Sequence, residues 1–242
     1  MGHQLTNPDS ASFNRYCWEL FDEFGNYNDG DLWTKLAADT NATVGHEGDG
    51  SRSRVKLYTG DAIKNNECCF ATTNEQFKFV AGKEIVVEGR IQYAEVATDD
   101  ARVAFGLGDA MGANLITDAA AGSQAIAVKD GALIWKQEND TQWRFHTEIN
   151  NVSTATQSTT VCTGGGVQTL RIECKPISST VFECRPFVDG AQLRDSSGTP
   201  IMHVVTLGTA DDMDFGVYLK SGANTSGTET LYVDYMYGKM AR

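Results

Sequence analysis

From Lys83 to Val96 the chain alternates with period two. Ile85, Val87, Gly89, Ile91 and Tyr93 share one face, and Glu84, Glu88, Arg90 and Gln92 punctuate the other. This is the pattern of a strand with one buried and one wet face. The same alternation places Leu170, Ile172 and Cys174 opposite Arg171, Glu173 and Lys175, then aligns Phe182, Cys184 and Val188, and returns in the closing run Leu231–Tyr237. Further strands are predicted over 18–24, 32–36, 42–45, 54–58, 67–72, 76–79, 102–107, 142–146, 202–207 and 215–219, about fourteen in all, cut by Gly, Asn and Asp turn signals. Asp130-Gly131 reads as the tight turn of a hairpin joining 125–128 to 132–135, and Asp189-Gly190 turns a strand back. Residues 152–160 are Ser/Thr-rich and read as an edge strand or a loop, and 110–123 reads as a long Gly/Ala-rich loop. Helical periodicity is confined to Ser12–Phe21, a stretch that could equally run extended into the first strand.

These elements predict an all-β, antiparallel two-sheet sandwich. Nothing divides the 242 residues into halves, so residues 16–242 are expected to form a single sandwich domain behind a short N-terminal arm, 1–15. The formal charge of −12 argues against a phosphate-binding surface, so no nucleic-acid partner is expected. No apolar run suggests a signal peptide or a membrane span, which points to synthesis in a cytoplasm. Six cysteines, at 17, 68, 69, 162, 174 and 184, lack metal-ligand spacing and are expected as buried thiols. Cys68 and Cys69 should face opposite sides of a strand, and Cys174 and Cys184 should lie close on neighbouring strands.

Thr169-Leu-Arg-Ile-Glu173, Phe187-Val-Asp-Gly190, Phe215-Gly-Val-Tyr218 and Leu231-Tyr-Val-Asp-Tyr235 together resemble the concanavalin A-like lectin/glucanase jelly roll. That resemblance implies that the last strand rejoins the N-terminal one, pairing 232–237 with the region of 18–24. The Phe21-to-Phe24 strand, Leu32-Trp33 and Phe105-to-Asp109 resemble, more narrowly, virion accessory proteins of tailed bacteriophages. The narrower resemblance implies a capsid decoration or cement protein on the virion surface. Its partners would be the major capsid protein or other virion proteins, and it would form a homo-oligomer, a trimer by capsid symmetry.

Candidate chemistry is sparse. A glycanase of this fold carries Glu-x-Asp-x-Glu on one strand face, and the sequence has no match; Asp212-Met-Asp214 runs into Gly216. Glu173 and Glu183 alternate with core positions and should face solvent or pair across strands. His3, His46, His146 and His203 are isolated in sequence, and Gly164-Gly-Gly166 lacks the lysine of a phosphate loop. The expectation is therefore no catalytic residue, no cofactor and no metal site. The loop holding Asn26, Asn28, Asp29 and Asp31 and the cluster Asp211, Asp212 and Asp214 could each offer a structural calcium ion oxygen ligands, though turn formation is the plainer role for such residues. Trp33, Trp135, Trp143, Tyr93, Tyr218 and Tyr237 are expected mainly as core. The alternative function is a lectin-like glycan-binding module, and for it Trp135 and Trp143, flanking the polar hairpin end 137–142, are the candidate sugar-stacking rings.

Overall fold

A computed structural model describes residues 17–25, 32–39, 41–48, 53–61, 63–94, 100–119, 123–128, 130–162, 164–207, 212–222 and 228–241. The expected arm, the 26–31 loop and Asp211 lie outside the described residues. Sixteen strands follow in order: β1 (Cys17–Asp22), β2 (Trp33–Ala37), β3 (Thr43–Gly48), β4 (Ser53–Tyr58), β5 (Glu67–Thr72), β6 (Ile85–Ala94), β7 (Arg102–Gly108), β8 (Gly131–Lys136), β9 (Gln142–Ile149), β10 (Val152–Val161), β11 (Val167–Pro176), β12 (Val181–Val188), β13 (Ala191–Gln192), β14 (His203–Thr206), β15 (Asp214–Lys220) and β16 (Thr230–Ala241). The strand β1 replaces the helix considered for 12–21, as far as that stretch is described.

The strands form two antiparallel sheets. The nine-stranded sheet runs β13-β12-β11-β6-β16-β4-β3, with β1 also on β16 and β14 also on β12. The seven-stranded sheet runs β10-β9-β8-β7-β15-β5-β2. The terminal strands meet as expected, displaced toward the end of the chain, with Cys17 opposite Ala241 and Asp22 opposite Met236. The 125–128/132–135 hairpin does not form. Gly131 instead begins β8, which pairs with β7, and Ile126 bridges back to Ile116. Close approach explains this glycine, because a Cβ there would lie 2.5 Å from the Leu107 carbonyl oxygen.

The core between the sheets is rich in rings. Trp33 stacks on Phe70 at 4.7 Å, and Phe215 meets both Phe77 and Phe105 edge-on. Edge-to-face pairs add roughly 0.5–1.5 kcal/mol each beyond the area they bury. Gly106 has φ +141, and a Cβ there would sit 2.3 Å from the Ala132 carbonyl oxygen, so no other residue fits. All six cysteines are buried free thiols. Cys68 lies in the main core while Cys69 faces the other way, and Cys174 is directly opposite Cys184.

The seven-stranded sheet has a second apolar layer on its outer side. Met111, Leu115, Ile116, Ile126 and Val128, from the segment after β7, pack on Cys69, Ala71, Ala104, Leu133, Trp135 and Tyr218. The stretch read as an open loop is therefore a covering segment. Buried cations fasten it: Lys220 reaches Asp118 at 2.5 Å and the Ile116 carbonyl at 3.2 Å, and Arg102 donates to the Thr117 carbonyl at 3.3 Å, while Glu67 and Glu138 hold the two cations at 3.0 and 2.6 Å. Glu67 also accepts from the Asn114 amide and from the Tyr218 hydroxyl, whose burial raises its pKa far above the ordinary value.

Candidate functional site

Among the described residues no segment covers the outer face of the nine-stranded sheet, and its shape is set by one irregularity. Along β16 the register with β6 slips between Val233 and Tyr235. Leu231 and Val233 point inward before the slip, and Met236 and Gly238 after it. Asp234 and Tyr235 consequently stand side by side on the outer face. A β-bulge of this kind keeps both halves of a strand in phase with the core while re-aiming the residues at the break.

Around the bulge lie two adjoining depressions of about 520 and 450 Å³ that share Phe21 and Tyr235. Phe21, on β1, is exposed, and its ring centroid is 5.8 Å from that of Tyr235 at 37°. The Tyr235 hydroxyl donates to Glu88 at 2.7 Å. Burial, then the Glu88 bond, push its pKa up to about 12; burial and a bond to Glu19 do the same for Tyr237. Both phenols therefore keep their protons at neutral pH. The first depression is floored by Glu84, Glu88, Arg171, Glu173, Lys175 and Lys239, the second by Arg90 and Asp234. Arg171 reaches Glu173 at 2.5 Å and Glu88 at 3.9 Å, Lys175 reaches Glu173 at 3.2 Å, and Arg90 reaches Asp234 at 3.5 Å. Beyond Asp234, Arg54 lies 3.7 Å over the Tyr232 ring. The face is thus a strip of rings interleaved with paired charges. Glu173 and Glu183 stand outside the core, as expected, but their ion pairs run along their own strands, Glu173 with Arg171 and Lys175 on β11 and Glu183 with Arg185 on β12.

The two acids with raised pKa values lie elsewhere, on the seven-stranded sheet. Burial lifts Asp214 to about 6, and burial with Asp109 and Asp130 nearby raises Glu148. Register puts them in one row, Glu148–Gly131–Gly108–Asp214. Three interstrand spacings separate them, about 14 Å. Glycoside hydrolysis needs two carboxyl groups ~5–5.5 Å or about 6.5–9.5 Å apart. Val128 of the covering segment also lies against both glycines of that row. This pair therefore cannot act together on one glycosidic bond.

The sugar-stacking expectation for Trp135 and Trp143 is corrected. Trp143 is 0% exposed in the main core and Trp135 is 3% exposed beneath the covering segment, so neither offers a ring face to solvent. Tyr237 moves the other way, from expected core to the outer face. Of the calcium candidates, Asp212 pairs with Lys78 and Asp214 accepts from Thr72. Among the described residues no cluster of His, Cys, Asp and Glu has the geometry of a metal site. Sequence isolation misled for two histidines. His203 sits between the sheets with Thr147 and Thr156 hydroxyls each 3.0 Å from its ring nitrogens, and His146 is near enough to oppose its protonation. Sequence reading missed Phe21, Tyr235, Glu88 and Arg171. The available signal was the break in alternation at Asp234-Tyr235.

No protein-family model matches the chain, and a search of curated proteins finds no match. Solved structures do match. The Emp47p carbohydrate recognition domain superposes with a TM-score of 0.58 at 12% identity, covering 91% of this chain and 94% of that one. Peanut lectin gives 0.56 at 10%, covering 93% and 97%. The endo-1,3-beta-glucanase of Streptomyces sioyaensis gives 0.55 at 14%, covering 93% and 96%. None of these three is a virion protein, and the virion reading rests on the sequence resemblance alone. Identities this low, over nearly full-length superpositions, establish architecture: the chain has the fold of the concanavalin A-like lectin/glucanase jelly rolls.

Proposed function

We propose that the chain is a non-catalytic, lectin-like binding protein that takes a neutral glycan along the outer face of its nine-stranded sheet. One observation carries this: the bulge at Asp234-Tyr235 sets a tyrosine ring beside the exposed ring of Phe21, between two open depressions. Sugar rings present apolar C–H faces to aromatics and hydroxyls to carboxylates and guanidinium groups, and both kinds of partner line the strip. Most of the charges there are paired with one another, which favours an uncharged ligand over a phosphate or polyanion. The carboxylates nearest the rings, Glu88 and Glu173, are both bound by Arg171, which favours hydrogen-bond acceptance over proton transfer.

The test is a glycan array followed by titration calorimetry on the best binder. Removing either ring, as in Phe21→Ala or Tyr235→Ala, should weaken binding about tenfold, the equivalent of ~1.4 kcal/mol. Absence of binding to any glycan, or affinity that survives both changes, would sink the reading. A capsid partner remains an expectation of the narrower sequence resemblance, and no feature of the strip favours it over a glycan.

A further inference from the structure

The strands that end the two sheets are blunted in the usual ways, with one exception. β2 is five residues long and carries Lys35; β3 carries Glu47 and His46 between glycines; β13 and β14 have two and four residues; β1 carries Glu19 and Asp22. Short length and charge are how natural sheets keep open edges from pairing with other chains. β10, the edge of the seven-stranded sheet, has neither. It runs ten residues, Val-Ser-Thr-Ala-Thr-Gln-Ser-Thr-Thr-Val, without one charge, proline or glycine.

Its first half is also exposed on both faces. Residues 152–155 are all exposed, and Val152 is 73% exposed, the highest value among the large apolar side chains of the described residues. Among the described residues, 152–157 pair in register with β9 on one side only, ahead of an irregularity. Beyond it the outer edge is taken, since the Thr159 amide donates to the Arg194 carbonyl. The free length is therefore 152–157.

We propose that residues 152–157 form a self-pairing edge, where two copies of this chain join antiparallel about a two-fold axis and continue the seven-stranded sheet across both. Charge decides where two copies can meet. Two copies at −12 each repel over most of their surfaces, and this strip brings no charge to the contact. A two-fold axis normal to the sheet and passing at Thr154 sets Thr154 opposite its own copy and Val152 opposite Thr156 of the second copy. These are hydroxyl and β-branched pairs that suit cross-strand contact. Such a contact is isologous and closes at two copies, which departs from the trimer expected from capsid symmetry. An edge of six residues falls below the area of a tight interface, so the dimer is a weak one, in the micromolar range.

Sedimentation equilibrium of the full chain from about 1 to 200 µM, at moderate salt, tests this. The expected result is a monomer–dimer equilibrium. Thr154→Lys should weaken association at least about tenfold by placing two cations beside the axis, and Thr154→Val should tighten it. Thermal unfolding confirms that each variant is folded. Should Thr154→Lys lose its fold, Ser153→Lys at the neighbouring exposed position takes its place. A chain that stays monomeric throughout, a trimer, or a dimer indifferent to lysine at the edge would each overturn the proposal.

Discussion

Acidification from pH 7 to pH 5 should loosen this fold through His146 and His203. Burial lowers both pKa values from the ordinary 6.5 to about 4, and for His203 the nearby His146 adds to the effect. The unfolded chain then binds more protons than the folded one between pH 6.5 and 4, so stability rises with pH in that window and is lost as pH falls through it. At pH 5 an unfolded histidine is nearly all protonated and a folded one about a tenth protonated, which costs about 2 kcal/mol per histidine. Asp214 works against them. Its pKa is raised from 3.8 to about 6, so in the folded state it takes up a proton over the same range and returns at most about 1.4 kcal/mol by pH 5, less the part that solvent screens at this half-buried site. The net loss is at least about 2.5 kcal/mol, a large share of the roughly 5–15 kcal/mol typical of a domain. Urea unfolding at the two pH values measures it as a lower midpoint at unchanged slope. His203→Gln, which keeps a polar partner for Thr147 and Thr156, should roughly halve the histidine part of the loss. Equal stability at pH 7 and pH 5, or an undiminished loss in His203→Gln, would refute the reasoning.

Asp214→Asn should stabilise the protein at pH 7 while removing its compensation at pH 5, so the acid-induced shift in urea midpoint should grow. Lys220→Ala should cost about 3–5 kcal/mol in urea unfolding, because it leaves Glu67 buried without its cation. Gly106→Ala should cost at least ~2 kcal/mol, since the Cβ meets a backbone oxygen at a φ that alanine avoids; a loss of melting temperature under a few degrees would count against this.

The sheets were legible because their strands announce which side is wet. β11 and β12 alternate strictly, buried and half-buried, and their register sets Cys174 on Cys184 as the alternation requires. The covering segment was harder to see, although it leaves a trace. β5, β7 and β8 are buried at every position, and Cys68-Cys69-Phe70-Ala71, Val103-Ala-Phe-Gly-Leu107 and Ala132-Leu-Ile-Trp135 are unbroken apolar runs. Such runs mark a sheet covered on both faces. Read that way, they place Trp135 under a lid of chain, away from any sugar. The covering residues themselves follow neither period, because their spacing is fixed by the sheet below. The candidate site was illegible for a different reason. Phe21, Arg171, Glu88 and Tyr235 come from four strands, and only the register slip at Asp234 turns two neighbours in sequence to the same side. His203 and Thr147 likewise meet across the gap between sheets, which no local pattern encodes.

The position of the last strands has a consequence for how the protein is made. β16 lies between β6 and β4 in the middle of one sheet, and β15 lies between β7 and β5 in the middle of the other. A nascent chain that has reached Leu207 holds most of its strands yet owns neither complete sheet. Both are split down the centre until residues 214–241 leave the ribosome. Such a chain waits with two apolar clefts open, and its final pairings join residues more than a hundred positions apart, a topology that folds slowly. Pulse-chase proteolysis of ribosome-bound chains should find protection arriving late and all at once, after the tail emerges. Sequestering those clefts during synthesis falls to whatever chaperones meet the chain first.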